Sequence, residues 1–385
     1  MKAWPKALLG DVLKQDVRYL PEPELRLYPK LSVKLYGRGA VLDTPADGGA
    51  VKMQKHQLAR HGQVILSEIW AKKGAIGIVP PECEGALCTS HFFLFDIDES
   101  KALRGYIGWL LRGNYFEPQL NVEARGTTGY AAIRPKQFLA TEIPLPPPSE
   151  QQALVAHLDA LAEKTRQVEA HLKAAERDAD SLLRAYIFHP PAEQLQKRQM
   201  FELLSQRQPD VTVDMTTQYR FAGVYSFGRG VFASAVKVGS EFAYERLSTV
   251  RAGDFTYPKL MAWEGALGVV PDECDGMVVS PEFPVFSVNT DVVLPEVLDI
   301  YFRTPEVWPS LAELSGGTNL RRRRLQPSAF LNYEMPVPSM ATQLKLREIT
   351  KHAKVLKAKH TSLRAANAAL LPATLERVFT AGNTT

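Results

Sequence analysis

The chain is written twice. Residues 74–95, GAIGIVPPECEGALCTSHFFLF, align with residues 265–286, GALGVVPDECDGMVVSPEFPVF, at a constant offset of 191. The same offset carries Gly37-Arg38-Gly39 onto Gly228-Arg229-Gly230, Arg60 onto Arg251, Gly62 onto Gly253, Arg112 onto Arg303, and Gly126-Thr127 onto Gly317-Thr318. One residue is then inserted. At an offset of 192, Phe138-Leu139 meets Phe330-Leu331, Ile143-Pro144-Leu145-Pro146 meets Met335-Pro336-Val337-Pro338, and Gln151 meets Gln343. A period this long is duplication of a whole folding unit, not a solenoid repeat. Any fold for this chain must therefore work twice.

Each copy runs into a long helical stretch. Residues 149–187 contain no Gly and no Pro. Leu154, Leu158, Leu161, Thr165, Val168, Leu172, Ala175, Ala179 and Leu182 alternate four and three apart, a heptad seam on an otherwise charged helix. Pro146, Pro147 and Pro148 bar extension backwards, Ser149 with Gln152 has capping-box spacing, and His189-Pro190-Pro191 ends the run. At 1.5 Å per residue the rod is roughly 60 Å long, and a seam that narrow needs a partner helix. Residues 341–379 supply one, with Leu346, Ile349, Ala353, Leu356, His360, Leu363, Asn367 and Leu370 on the seam. His360 and Asn367 cost stability there but set register, and Pro372 is expected to kink or end the regular part. With a globular segment between them, the two helices pair antiparallel.

Ahead of each helix the anatomy is the same. Short β-rich segments (31–36, 63–69, 75–79 and 92–97 in the first copy) precede a helix with Leu103, Tyr106, Ile107, Leu110 and Leu111 on one face. In the second copy Leu294, Val297, Leu298 and Tyr301 keep that spacing. A Gly/Thr/Arg loop and a Pro-led turn follow. The expected fold is α/β or α+β. It has two globular domains, 1–146 and 193–338, separated by long helices at 147–192 and 339–385 that form an antiparallel intramolecular coiled coil with pseudo-two-fold symmetry.

A chain of 385 residues with 45% hydrophobic and 23% charged residues has ample material for such cores. Its formal charge of +4 permits nucleic-acid binding without demanding it. Cys83, Cys88 and Cys274 lack metal-ligand spacing and are expected as buried thiols in a reducing compartment. Neither a secretory leader nor an apolar run of membrane-spanning length is present, so the expected location is the cytoplasm.

Catalytic motifs are missing. The chain has no GxxxxGK[ST] loop, no dinucleotide-binding or S-adenosylmethionine-binding Gly loop, no GxSxG, no His-rich metal motif and no Asn/Asp-Pro-Pro-aromatic tetrad. No catalytic residue, metal ligand or resident cofactor is expected. The informative residues lie in loops. Thr318, Asn319, Arg321, Arg322, Arg323 and Arg324 follow a Gly-Gly turn, and Arg125, Thr127, Thr128, Tyr130 and Arg134 hold the equivalent place in the first copy. Guanidinium forks suit phosphates and guanine edges, and Asn suits adenine. The plain alternative, a solvated basic loop, is weakened because the loop recurs while its chemistry changes. Arg38 and Arg229, each between glycines, are carried on tight exposed turns, the alternative being an Arg paired with a local carboxylate. Lys72-Lys73 becomes Trp263-Glu264 just before a shared Gly-Ala, as surface drift or a changed base contact would produce.

These motifs, in this order and duplicated, resemble the specificity subunit of a type I restriction–modification system. The resemblance rests on Gly-Arg-Gly at 37–39 and 228–230, on Gly-Ala-Ile-Gly-Ile-Val-Pro at 74–80 with its copy at 265–271, and on Ile-Pro-Leu-Pro-Pro-Pro-Ser-Glu-Gln-Gln at 143–152 running into a helix. It implies two target recognition domains reading the halves of a bipartite, asymmetric site in double-stranded DNA. It also implies two methyltransferase subunits docked on the helices for adenine N6 methylation, with S-adenosylmethionine bound there. Restriction subunits that use ATP and Mg would join for phage defence. One departure is Thr342, where the family favours an acidic residue before Gln. A reading from another class is a coiled-coil scaffold whose domains bind protein or RNA.

Overall fold

A computed structural model describes residues 4–20, 25–50, 56–113, 115–123, 132–190, 195–316 and 323–380. They form two compact units, Met1–Ala170 with Ser362–Thr385, and His171–Thr361. Each unit takes one globular domain and part of both long helices.

In the first unit Leu13–Asp16, Phe92–Ile97, Val64–Ser67 and Ile76–Ile78 form an antiparallel sheet in that order. A second sheet runs Ala40–Asp47, Leu27–Val33, Leu87–Thr89, His56–Leu58. Lys6–Leu8 pairs antiparallel with Glu142–Pro144, so the two ends of the domain close on each other. The second unit repeats this order with Leu204–Arg207, Val285–Val288, Phe255–Thr256 and Gly268–Val269, and closes with Gln196–Gln199 against Glu334–Val337. Its other sheet gains an edge strand, Val211–Thr212, beside Arg246–Thr249, Val278–Val279, Gln218–Tyr225 and Gly230–Val238. The mixed helix-and-sheet class and the duplication are as the sequence predicts.

The domain helix of the first unit, Arg104–Arg112, buries Tyr106, Ile107, Leu110 and Leu111. These join Leu158 of the first long helix (Pro148–Phe188) and Leu375 and Phe379 of the second (Met340–Thr380) in one core. In the second unit Val297, Leu298 and Phe302 of Pro295–Phe302 join Leu183, Ile187, Leu346 and Ala353. Within each unit the long helices run antiparallel. Asn367 Nδ2 donates to the Thr165 carbonyl at 2.9 Å and Arg364 Nε to Glu169 at 3.2 Å in the first. His360 Nδ1 lies 3.0 Å from Glu176 Oε1, and Lys357 donates to Asp180 at 2.8 Å, in the second. The polar seam residues thus do set register.

The apolar seam needs correction. Leu158, Leu172 and Leu346 are buried and Leu154, Leu161 and Ile349 half-buried, but Val168, Leu182, Leu356, Leu363 and Leu370 are exposed. On the first long helix two rows of protected positions keep the seven-residue repeat, 151, 158, 165, 172 and 179, and 155, 162, 169, 176 and 183. The expected row through Leu158 and Leu172, and on the second helix the row Leu346, Ala353, His360 and Asn367, are as the sequence predicts. The other row lies one residue later than expected: Val168 and Leu182 yield to Glu169 and Leu183, and Leu363 and Leu370 yield to Arg364 and Leu371. Two terminal expectations also shift. The first long helix starts at Pro148, ahead of the Ser149–Gln152 box, with Pro at the first position where its missing N–H costs nothing. The second continues through Pro372, an exposed position whose next turn is held by buried Leu375 and Phe379.

Each long helix is joined to its domain by one buried glutamine. Gln151 Oε1 accepts the Leu103 N–H at 2.7 Å, while Nε2 donates to the carbonyls of Lys101 at 3.0 Å and Pro146 at 2.9 Å. Gln343 does the same with Leu294 N–H at 2.7 Å and the carbonyls of Val292 at 3.0 Å and Pro338 at 2.9 Å. One amide thereby ties the start of the domain helix to the start of the long helix. Thr342 in place of an acidic residue leaves this clamp intact.

A buried ion-pair position changes sign between the two copies. Buried Asp16 accepts from Arg18 Nη2 at 2.7 Å, Gln63 Nε2 at 2.9 Å and Arg60 Nη2 at 3.2 Å. One offset later the strand carries Arg207, and the acid is Asp254, 2.5 Å away.

Gln151→Leu is expected to cost about 2–4 kcal/mol, because three backbone groups lose their partner inside a core. It should accelerate hydrogen exchange at Leu103 and leave Leu294 protected; equal acceleration at both would contradict a local clamp. The Arg18 hydrogen bonds hold the Asp16 carboxyl well below its ordinary value near 3.8. Its contribution is therefore present above about pH 4 and lost as pH falls. In chemical denaturation the stability gap between wild type and Asp16→Asn should narrow as pH drops below about 4.

Candidate nucleic-acid interface

The two Gly-Arg-Gly turns are β-hairpin tips. The first joins Leu27–Val33 to Ala40–Asp47 and the second joins Gln218–Tyr225 to Gly230–Val238. A two-stranded ribbon is narrow enough to enter a major groove. Both turns carry an aromatic residue in the left-handed region, Tyr36 at φ 60° and Phe227 at φ 63°, beside glycines at φ 66°. Such a conformation is costly for a bulky side chain and persists only where its surroundings fix it. Here the backbone does so: Tyr36 N–H donates to the Lys73 carbonyl at 2.7 Å and Gly37 N–H to Gly74 at 2.9 Å. Phe227 and Gly228 make the same bonds to Glu264 at 2.8 Å and Gly265 at 3.0 Å. A Cβ on Gly228 would lie 2.7 Å from the Arg303 carbonyl oxygen, and one on Gly37 2.9 Å from that of Arg112. Only glycine lets the hairpin sit this close to the domain helix. The consequence is an exposed aromatic ring next to an exposed arginine at each tip.

This docking brings two groups of candidates together. Lys72 and Lys73 lie in the 3-10 turn Ala71–Lys73 that receives the first hairpin, and Trp263 lies in Ala262–Glu264, which receives the second. Lys73 is exposed and lies 5.2 Å from the centre of the exposed Trp70 ring. The Trp263 indole N–H is engaged by the Leu260 carbonyl at 3.0 Å, leaving its ring half-buried. Arg38 makes no ion pair or hydrogen bond with a described residue, and neither arginine pairs with a carboxylate among the described residues. Arg229 instead stacks on Tyr225.

The floors beneath the hairpins differ. In the second unit the Trp308 ring lies on Gly265, where an added Cβ would meet it at 2.3 Å, and its N–H donates to the Phe302 carbonyl at 2.9 Å. In the first unit the corresponding place holds a cavity of about 850 Å³ lined by Tyr36, Lys73, Arg112, Tyr115 and Phe379 among others.

Arg125, Thr127, Thr128, Tyr130, Thr318, Asn319, Arg321 and Arg322 lie outside the described residues. The flanks of their loops are equivalent: Ile133 N–H donates to Glu68 at 2.9 Å and Leu325 N–H to Lys259 at 2.9 Å. Arg134 is committed to an ion pair with Glu68 at 2.7 Å, and that carboxylate also meets His91 at 3.1 Å. Arg324 pairs with Glu282 and forms a β-bridge with Gly316 that closes the second loop. Arg323 is half-buried and has no partner among the described residues. Arg134 and Arg324 therefore hold loop stems, whatever they do on a ligand. Reading the sequence missed Tyr36, Phe227, Tyr225, Phe232 and Trp308. For Tyr225 and Phe232 the signal is the strand register, which places each ring opposite a glycine; Tyr36, Phe227 and Trp308 gave no such signal.

Cys83, Cys88 and Cys274 are free and buried, and burial pushes the Cys88 thiol up to about 12. Among the described residues no helix is long and apolar enough to cross a membrane, and no three His, Cys, Asp or Glu side chains gather as a metal site.

Two α+β units, each closed by its own strand pair, clamped to a long helix and presenting an arginine-bearing hairpin, define a duplicated, helix-linked architecture. The proteins it is similar to are specificity subunits of type I restriction–modification systems. Over 177 residues the chain is 27% identical to the type I restriction enzyme MjaVIII specificity subunit of Methanocaldococcus jannaschii, covering 45% of this chain and 36% of that one. The match thus spans little more than a third of the relative's length. The HsdS subunit of Thermoanaerobacter tengcongensis superposes at a TM-score of 0.57 with 20% identity, over 98% of this chain and 96% of that one. A chain from a study of type I restriction–modification complex assembly and conformational transition gives 0.64 with 18% identity, over 97% of both. No family model matches. At these identities the structural matches establish the fold, and the resemblance read from the sequence is borne out.

Gly228→Ala is expected to cost about 1–2 kcal/mol for the left-handed backbone alone, and more from its contact with Arg303. Hydrogen exchange at Phe227 and Gly228 should accelerate while Leu294 stays protected. An unchanged rate would mean that the hairpin does not depend on this close approach.

Proposed function

We propose that this chain is the DNA-specificity subunit of a type I restriction–modification complex. Each unit presents its hairpin, the adjoining 3-10 turn and the Gly/Arg loop to one half of a bipartite, asymmetric site. The observation that carries the reading is one hairpin built twice, with the same glycines and backbone bonds but different chemistry around it. A duplicated scaffold with divergent contact residues is what reading two different half-sites requires. The long helices would dock two methyltransferase subunits that methylate adenine at N6 and hold S-adenosylmethionine. Restriction subunits using ATP and Mg would complete the assembly. This chain would recognise and not catalyse, and would act in the cytoplasm.

With a formal charge of only +4, affinity depends on local arginines and on partner subunits, and should fall steeply with salt. The test is co-expression with the methyltransferase subunit of the same system, followed by genome-wide mapping of modified adenines. The expected motif has two separated half-sites. Arg38→Ala should relax only the first unit's half, and replacing Arg321, Arg322, Arg323 and Arg324 with Ala only the second's. Equal relaxation of both halves would contradict the assignment. Failure of the complex to choose any bipartite duplex over scrambled DNA would favour the scaffold reading.

A further inference from the structure

The hairpin of the second unit carries a ladder of rings that the first lacks. Tyr225 lies opposite Gly230, and Phe232 opposite Gly223. Each glycine leaves room for the ring across from it, and a Cβ on Gly223 would sit 2.8 Å from the Phe232 ring. The two rings stack at 3.7 Å with planes 12° apart. The Arg229 guanidinium lies 4.5 Å above the Tyr225 ring, and its Nε–H donates to the Ser226 carbonyl at 3.2 Å. One face of the guanidinium and its Nε are thus fixed. Its two terminal nitrogens meet no acceptor among the described residues and point from an exposed hairpin tip. At the same offset the first unit has Lys34, Val41 and Ser32 in place of Tyr225, Phe232 and Gly223. Among the described residues no ring lies beneath Arg38.

We infer that Arg229 reads a guanine in the major groove of the half-site met by the second unit, and that Tyr225 and Phe232 are positioning residues holding its plane. This rests on the DNA-reading function above. A phosphate contact needs charge but no fixed plane, and a lysine serves it. An arginine held by stacking and by its own Nε keeps its terminal nitrogens coplanar and parallel, the arrangement that bonds guanine O6 and N7 together. The stack also lowers the rotamer freedom lost on binding. The inference makes the second unit's hairpin more discriminating at its base pair than the first unit's.

The test uses the full chain purified with its methyltransferase subunits. The probes are duplexes in which every base pair of the mapped second half-site is replaced in turn. Arg229→Lys keeps the charge and loses the fork. It should reduce discrimination at a single G·C pair by roughly 5- to 100-fold and leave the first half-site unchanged. Tyr225→Leu should reduce discrimination at the same pair by about 2- to 5-fold, the size of an exposed cation–π contact. Tyr225→Phe, which keeps the ring, should restore it. Uniform weakening across all duplexes by Arg229→Lys would make Arg229 a phosphate contact and overturn the inference. Full discrimination in Arg229→Lys, or loss by Tyr225→Leu at a different pair, would overturn it as well. If the unaltered complex selects no sequence at all, the DNA-reading function falls together with it.

Discussion

The structure depends on a single amide used twice. Gln151 and Gln343 are buried where a domain helix, a proline-led turn and a long helix meet, and each satisfies one N–H and two carbonyls there. Backbone groups at helix starts are left without intrahelical partners, and burying them unpaired costs more than most single contacts return. The glutamine removes that cost while fixing the angle at which the long helix leaves its domain. Around it the chain has varied freely. Gly105 against Val155 in the first unit becomes Glu296 bonded to Arg347 at 2.9 Å in the second. The clamp persists, and the neighbouring packing is replaced.

Register between the long helices follows another rule. Thr165 with Asn367 and Glu169 with Arg364 in the first unit, and Glu176 with His360 and Asp180 with Lys357 in the second, are polar pairs where leucines would be more adhesive. A uniformly apolar seam tolerates slippage by a turn, whereas paired polar groups penalise it. Adhesion comes from the ends, where Leu158 and Phe379 in one unit, and Ile187 and Leu346 in the other, join domain cores.

Much of this was legible in the sequence because duplication supplies an internal comparison. Matching Gly74 to Gly265 and Gly37 to Gly228 exposed positions where a left-handed backbone is required, and the domain helices showed in their apolar spacing. The seam was legible in one of its two rows. Leu158, Leu172, Leu346, Ala353, His360 and Asn367 were placed correctly, while the other row lies one residue later, at Leu183 rather than Leu182 and at Arg364 rather than Leu363. The candidate recognition surface was legible as arginines but not as geometry. That Arg134 is committed to Glu68, that Arg324 closes a loop stem and that Arg229 lies over the Tyr225 ring, itself stacked on Phe232, are facts of strand register and long-range contact. Local composition does not carry them. Gln151 and Gln343 were visible as a matched pair, but their role needed the three backbone groups that converge on each.

The ends of each globular unit close on each other through a strand pair, Lys6–Leu8 with Glu142–Pro144 and Gln196–Gln199 with Glu334–Val337, so that under the proposed function each unit is a self-contained reader. Replacing residues 197–336 with residues 6–144 should then leave clamp, helices and hairpin scaffold in place and change only what is read. The decisive measurement is the modified-adenine motif written by that chain together with its methyltransferase subunits. The expected result is a bipartite motif with the first half-site's sequence in both halves. A motif that kept the original second half-site would contradict it.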